Sequence, residues 1–267
     1  MPHHGSVIGV FDSGVGGLTV LKALRSALPL CDFLYLGDTA RVPYGRKPAE
    51  MVRGFAREIA AFLADRGAEG IVVACNTASA VALEDLQREF APLPVWGVIE
   101  PGVEAAVRAT RSGSVGVIGT RGAIASRAYQ QRLEAQGLQV WARACPLFVH
   151  LVEENLADSP EAELLAHHYL DDRPDIDTLI LGCTHYPVLM PVISRVVGPS
   201  VQLVESAGVT AESVAQYSRA ALGPASGTGR ITHFVTGDPV AYQHTAAVIG
   251  GVDGEIVSLP ISRLALR

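Results

Sequence analysis

The chain is poor in cysteine, in aromatic rings and in positive charge, and each shortage closes a class of function. Its four cysteines, Cys31, Cys75, Cys145 and Cys183, stand far apart and form no C-x-x-C pair. Neither a zinc cluster nor a disulfide framework is expected from such spacing. Lys and Arg number 21 against 27 Asp and Glu, which leaves a net charge of -6. A general nucleic-acid binder needs a basic face, so no nucleic-acid partner is expected. A small anionic substrate stays open, because a local site can be positive on an acidic protein. No apolar run approaches the ~20 residues of a membrane span. Met1–Ser6 is short and polar, without the apolar core of a signal peptide. These absences point to a cytoplasmic protein without a membrane partner.

What is present is apolar and aliphatic: 49% of residues are hydrophobic and only 6% aromatic. Over 267 residues this suits one large α/β domain or two modest ones. Short apolar runs predict buried strands at 7–11, 33–36, 71–74, 95–98, 115–118, 138–141, 178–181, 201–204, 231–235 and 255–259. Helix patterns lie between them. In 51–67, Val52, Phe55, Ile59, Phe62 and Leu63 share a face, and Gly67 sits where a C-terminal cap belongs. One helix pattern over 120–137 ends the same way at Gly137. Ser159 and Pro160 read as N-cap and first helical residue of another. Strands alternating with helices predict parallel sheets covered on both faces, with ligands beyond the carboxyl ends of the strands. His3, His4, His167 and His168 read as surface residues.

A faint internal repeat organises the chain. GVFDS from Gly9 resembles GVIGT from Gly116, and VACNT around Cys75 resembles LGCTH around Cys183. The two offsets agree within one residue. This predicts two halves of similar βα design, 1–95 with 208–267 and 96–207, each supplying one strand-end hydroxyl and one strand-end cysteine.

Cys75 closes a strand just before a helix pattern, where unpaired amides stabilise negative charge. The expectation is a thiol pKa lowered from ~8.5 toward neutrality, a usable base. Cys183 has the same local setting, whereas Cys31 and Cys145 read as structural. The turn FDSGVGGL, 11–18, fails the P-loop and dinucleotide patterns and presents Asp12 and Ser13 at a strand end. Asp12 is suited to accept from an ammonium group or to poise a neighbouring thiol. In GDTARVPYG, 37–45, Tyr44 and the amide of Gly45 are placed to bind a carboxylate, and Arg41 reads as part of a surface turn. His185, two residues from Cys183, is a candidate to set that thiol's protonation state. Glu153 and Glu154 are either solvated charges or part of the site.

Taken together, FDSGVGGL, GDTARVPYG, ACNTAS, GVIEP and GCTHYP, with the later VESA and FVTGD, resemble the glutamate racemase family over nearly the whole chain. The resemblance implies two flavodoxin-like domains related by a pseudo-twofold, with the active site between them. It implies a cofactor-independent racemase that interconverts L-glutamate and D-glutamate and supplies D-glutamate for peptidoglycan. Cys75 would handle D-glutamate and Cys183 L-glutamate. Substrate contacts carry over to Asp12, Ser13, Tyr44, Gly45, Asn76, Thr77, Thr120, Thr184 and His185, and the auxiliary carboxylate to Glu153. Two positions depart from the family pattern: His150 replaces a proline, and Glu205 an aspartate. The short N-terminus lacks the extension that members activated by a peptidoglycan precursor tend to carry. A homodimer is expected, with nothing in the sequence to say how the copies meet. The rival readings are a racemase for aspartate or another small acid, and a non-catalytic binding protein on the same fold; a nucleotide-binding domain is disfavoured by the failed phosphate motifs.

Overall fold

Alternating strands and helices organise the computed structural model, which describes residues 6–222 and 227–264. His3 and His4 lie outside the described residues, and His167 and His168 are exposed. The chain begins with β1 (Val7–Asp12), α1 (Leu18–Ala27), β2 (Asp32–Gly37), α2 (Ala49–Asp65), β3 (Gly70–Val73), α3 (Asn76–Glu89) and β4 (Val95–Gly97). It continues through α4 (Ile99–Ala109), β5 (Ser114–Gly119), α5 (Arg121–Ala125), α6 (Ala128–Ala135), β6 (Gln139–Ala144), α7 (Leu147–Glu153) and α8 (Pro160–Leu170). Then come β7 (Thr178–Gly182), α9 (Met190–Val197), β8 (Gln202–Val204), α10 (Ala207–Tyr217), β9 (Ile231–Val235), α11 (Pro239–Ile249) and β10 (Glu255–Ser258).

All the strand pairs are parallel and form two sheets. The six-stranded sheet has the order β10-β9-β2-β1-β3-β4, and the four-stranded sheet β6-β5-β7-β8. Within each, the four strands common to both run in one order, with the first strand between the second and third. Strand order reverses between β1 and β3 in one half and between β5 and β7 in the other. Such a reversal opens a crevice at the strands' carboxyl ends.

Helices cover both faces of both sheets, which is why β1, β3, β5 and β7 are almost wholly buried and read as aliphatic runs. On the six-stranded sheet, α1 and α10 pack one face and α2 and α3 the other. On the four-stranded sheet, α7, α8 and α9 pack one face and α4 and α6 the other. Cys31 and Cys145 are buried free thiols within these cores. Among the described residues no helix is long and apolar enough to cross a membrane.

The expected strands all form, but β6, β8 and β10 are not fully buried. All three are edge strands with exposed or half-buried residues, Gln139 and Arg143 in β6, Gln202 and Leu203 in β8, Glu255 and Ser258 in β10. The single helix expected over 120–137 is broken into α5 and α6. Arg127 adopts a left-handed φ of 58° at the break. The Ser126 hydroxyl donates to the carbonyl of Ala123 (2.7 Å) and accepts from the amide of Ala128 (3.2 Å), replacing helical bonds with local ones. Gly67 and Gly137 end their helices at φ of 87° and 80°, as capping requires.

Leu63 on α2 is fully buried and lies 3.2 Å from where a Cβ on Gly9 of β1 would stand, so it seals that helix to the central strand. Leu63→Ala is expected to cost about 2–5 kcal/mol and to lower the thermal midpoint by roughly 5–15 °C, measured by circular dichroism. A shift of only a degree or so would mean that α2 does not depend on this contact.

Candidate active site

The carboxyl ends of β1, β3, β5 and β7 converge on one cavity of ≈ 120 Å³. A single water needs roughly 10–15 Å³, and drug-sized pockets run to roughly 300–1,000 Å³, so this cavity suits a small molecule. Its lining includes each residue singled out from the sequence: Asp12, Ser13, Tyr44, Gly45, Cys75, Asn76, Thr77, Thr120, Glu153, Cys183, Thr184 and His185. A larger groove of ≈ 510 Å³ lies between α1 and the loops around β9, but none of these strand-end residues line it. The smaller cavity is therefore the candidate site.

Cys75 ends the β3 segment and serves as N-cap residue of α3, with extended backbone. Its thiol lies 3.9 Å from the hydroxyl of Ser13. Asp12, at the end of β1, is fully buried; one carboxylate oxygen accepts from the amide of Gly14 at 2.9 Å and the other from the hydroxyl of Thr184 at 3.4 Å. Asn76 is fixed by the Tyr129 hydroxyl, which donates to its side-chain carbonyl at 2.7 Å and leaves the amide NH2 of Asn76 for other partners. Thr77 and Thr120 pair through their hydroxyls at 2.8 Å, and Thr120 also caps α5 by accepting from the amide of Ala123.

Cys183 follows β7 directly. The His185 ring meets it through Nδ1 at 3.9 Å and meets Glu153 through Nε2 at 3.0 Å. Glu153 is thus the carboxylate that reaches the site, while Glu154 is exposed at the end of α7. His150, one turn earlier on α7, lines the cavity without disturbing this arrangement.

The electrostatics correct one expectation. The Cys75 thiol is not lowered toward neutrality but pushed up to about 12. Burial is the largest cause and the negative charge of Asp12 adds to it; the amide of Ala78 and the contact with Ser13 pull the other way and lose. His185 behaves differently. Burial pulls its pKa down, but its contacts with Cys183 and Glu153 outweigh this and raise it to about 10. The imidazolium is the favoured form at neutral pH.

One residue of GDTARVPYG also stands differently from expectation. Arg41 is buried, not on a surface turn; its Nε donates to Asp38 at 2.7 Å and it pairs with Glu58. Tyr44 is buried too, and its hydroxyl donates to Asp38 instead of facing the cavity as a free donor. The amides of Tyr44 and Gly45 begin a short 3-10 turn, where the first N–H groups lack helical partners.

Gly16, Asp38 and Tyr129 shape the site and were not singled out. A Cβ on Gly16 would stand 2.2 Å from the Thr184 hydroxyl and 2.5 Å from Nδ1 of His185. The glycine-rich turn carried the signal, but as flexibility rather than close approach. Tyr129 lies in an ordinary helical pattern that carried no signal.

A family model described as Asp/Glu/Hydantoin racemase matches residues 19–214. A glutamate racemase of Thermus thermophilus is 56% identical over 246 residues, covering 91% of this chain and 92% of the relative. A crystal structure of glutamate racemase from Thermus thermophilus in complex with β-chloro-D-alanine superposes with a TM-score of 0.90 at 51% identity, covering 97% of this chain and 98% of that one. A glutamate racemase from Francisella tularensis in complex with D-glutamate gives a TM-score of 0.88 at 32% identity, covering 96% of this chain and 98% of that one. The chain belongs to the aspartate/glutamate/hydantoin racemase family.

Two outcomes are expected from this geometry. Gly16→Ala forces the Thr184 hydroxyl and the His185 ring to move, and is expected to lower kcat/KM roughly tenfold to a hundredfold in a protein still folded by circular dichroism. Unchanged kinetics would mean that the turn yields without moving them. A raised thiol pKa keeps Cys75 protonated until the pH nears that value, so the thiolate fraction climbs about tenfold per pH unit below it. Alkylation of Cys75 by iodoacetamide, followed by peptide mass spectrometry, is expected to be slow at pH 7 and still accelerating at pH 10. A plateau near pH 8 would contradict the shift.

Proposed function

We propose that this racemase-family member interconverts L-glutamate and D-glutamate without a cofactor, by proton transfer between two cysteines on opposite faces of the substrate. The observation that carries this is the placement of Cys75 and Cys183 at the ends of corresponding strands, β3 and β7, on one small cavity. Inverting a stereocentre by proton transfer needs a base on one face and an acid on the other. Two similar halves, each bringing one cysteine to the cavity, are suited to that arrangement.

In the direction from L-glutamate, the Cys183 thiolate takes the α-proton, breaking the C–H bond. The Cys75 thiol then gives its proton to the other face of the same carbon. The product leaves with Cys183 protonated and Cys75 ionised, ready for the reverse reaction or for proton exchange with solvent. His185, charged and braced by Glu153, stabilises the Cys183 thiolate. Asp12 is suited to hold the substrate ammonium beside Cys75. Amides at the start of α3 and in Tyr44–Gly45, with the hydroxyls of Ser13, Thr77, Thr120 and Thr184, are suited to its carboxylates. Such donors also stabilise the charge that spreads into the α-carboxylate as the proton leaves.

The same reading takes the two sheets as cores of two domains, 1–95 with 208–267 and 96–207, that hold the substrate between them. It includes a homodimer working in the cytoplasm and supplying D-glutamate for peptidoglycan. Structures of relatives with substrate or a small analogue bound support the substrate class.

In D2O each glutamate enantiomer is expected to return as its mirror image carrying one α-deuteron. Cys75→Ala and Cys183→Ala should each lower racemisation by at least about a hundredfold, because each removes one proton carrier. With a glutamate analogue bearing a leaving group on the β-carbon, the carbanion eliminates and needs no second acid. Cys183→Ala should then process the D-analogue and Cys75→Ala the L-analogue. If both variants favoured the same enantiomer, the two-face mechanism would be wrong.

A further inference from the structure

The loop that reaches over the cavity as Pro43–Gly45 is tied down behind the site by one fully buried carboxylate, Asp38. One of its oxygens accepts from the Tyr44 hydroxyl and from Nε of Arg41 at 2.7 Å. The other accepts from the Thr236 hydroxyl at 2.8 Å. Arg41 extends the tie to Glu58 on α2 and stacks 4.1 Å over the ring of Phe55, which in turn lies 5.6 Å from the ring of Tyr44. The Thr236 hydroxyl also accepts from the amide of Ala40 at 3.0 Å, and the amide of Gly237 donates to the Thr39 hydroxyl at 2.9 Å. Asp38 and Thr236 are absent from the cavity wall. They act on it only through the loop.

We propose that Asp38, held by Thr236, is a positioning residue that sets the Tyr44–Gly45 amides for a substrate carboxylate, with the Tyr44 hydroxyl serving the tie rather than the substrate. The proposal rests on glutamate being the substrate. A carboxylate suits the task because it accepts on two oxygens from three residues in different directions. An asparagine with its oxygen toward Tyr44 and Arg41 presents its NH2 to Thr236, so the Thr236 hydroxyl must turn from donor to acceptor, and Arg41 loses the charge it faces. Arg41 is the charge that makes a buried anion tolerable there, and Glu58 gives Arg41 a second anionic partner. Because the anchored group is a carboxylate, which does not invert, loosening the tie should weaken both enantiomers alike and leave the proton carriers in place.

The test is steady-state kinetics with L-glutamate and D-glutamate on Asp38→Asn, Thr236→Val, Thr236→Ser, Tyr44→Phe and the double variant Asp38→Asn/Tyr44→Phe. Asp38→Asn, Thr236→Val and Tyr44→Phe are each expected to raise KM roughly three- to tenfold for both enantiomers, the range of one hydrogen bond, with kcat within about twofold. Thr236→Ser should restore the wild-type KM, and the double variant should be no worse than its worse parent. The proposal is overturned if Tyr44→Phe raises KM while Asp38→Asn and Thr236→Val leave it unchanged, because the hydroxyl would then be a direct substrate contact. It is also overturned if kcat, not KM, carries the loss. If Asp38→Asn does not fold, the Thr236→Val and Thr236→Ser pair decides alone. Wild-type protein inert toward both glutamate enantiomers would instead end the substrate reading and leave the loop contacts as architecture.

Discussion

The site depends on two strand tips approaching within van der Waals contact while leaving a gap between them. Gly16 marks the limit of that approach, since even one carbon there would strike Thr184 and His185. Four polar contacts cross between the halves around the gap: Asp12 with Thr184, Asn76 with Tyr129, Thr77 with Thr120, and the Thr19 hydroxyl with the carbonyl of Thr184 at 3.3 Å. Each joins a residue near the six-stranded sheet to one near the four-stranded sheet. A cavity bounded in this way keeps its size only if both sets of helices hold their strands in place. The cores on both faces of each sheet are therefore part of the catalytic apparatus in the plain sense that they fix a distance.

The two halves repeat a strand order but not an electrostatic environment. Beside Cys75 stands Asp12, an anion that helps to keep the proton on sulfur. Beside Cys183 stands His185, whose charge is favoured by that thiol and by Glu153. Under the proposed mechanism the two faces are thus unlike, a thiol beside a carboxylate on one side and a thiol beside a charged imidazole on the other. An ammonium group placed against Asp12, as proposed, would offset part of the charge that raises the Cys75 thiol pKa. Excluding water at the same time strengthens every remaining interaction in the gap.

Much of this was legible in the sequence because parallel strands buried on both faces leave unmistakable aliphatic runs, and residues at their carboxyl ends follow by counting. Cys75, Cys183, Asp12 and Thr120 were found in that way. What failed was whatever depended on the balance between two opposing effects. The start of α3 does favour a thiolate at Cys75, yet burial and Asp12 outweigh it, and neither magnitude is written in the local sequence. Arg41 looked exposed because arginine usually is, and only Asp38 and Glu58, the latter in the middle of α2, make it a buried ion. The contact of the Tyr44 hydroxyl with Asp38 was likewise unwritten, because the loop brings round an acceptor six residues earlier. The break at Arg127 was hidden because a serine's choice between helix and local hydrogen bonds leaves no mark on hydrophobic periodicity.

The unequal size of the sheets has a structural consequence for the site. The six-stranded sheet gains β9 and β10 from the end of the chain, and β9 pairs with β2 so that Val235 lies opposite Gly37. The next residue on each strand is then Thr236 and Asp38, which is why they meet. In the four-stranded sheet the matching strand, β6, is an edge with no further strand beside it among the described residues. A long loop there would have no neighbouring strand end to hold it. That half instead carries its outlying site residue, Glu153, on a helix, α7, whose Phe148, Leu151 and Val152 are buried in the core. Each half thus supports its side of the cavity with what its own sheet provides: a loop clamped by an added strand on the Cys75 side, and a packed helix on the Cys183 side.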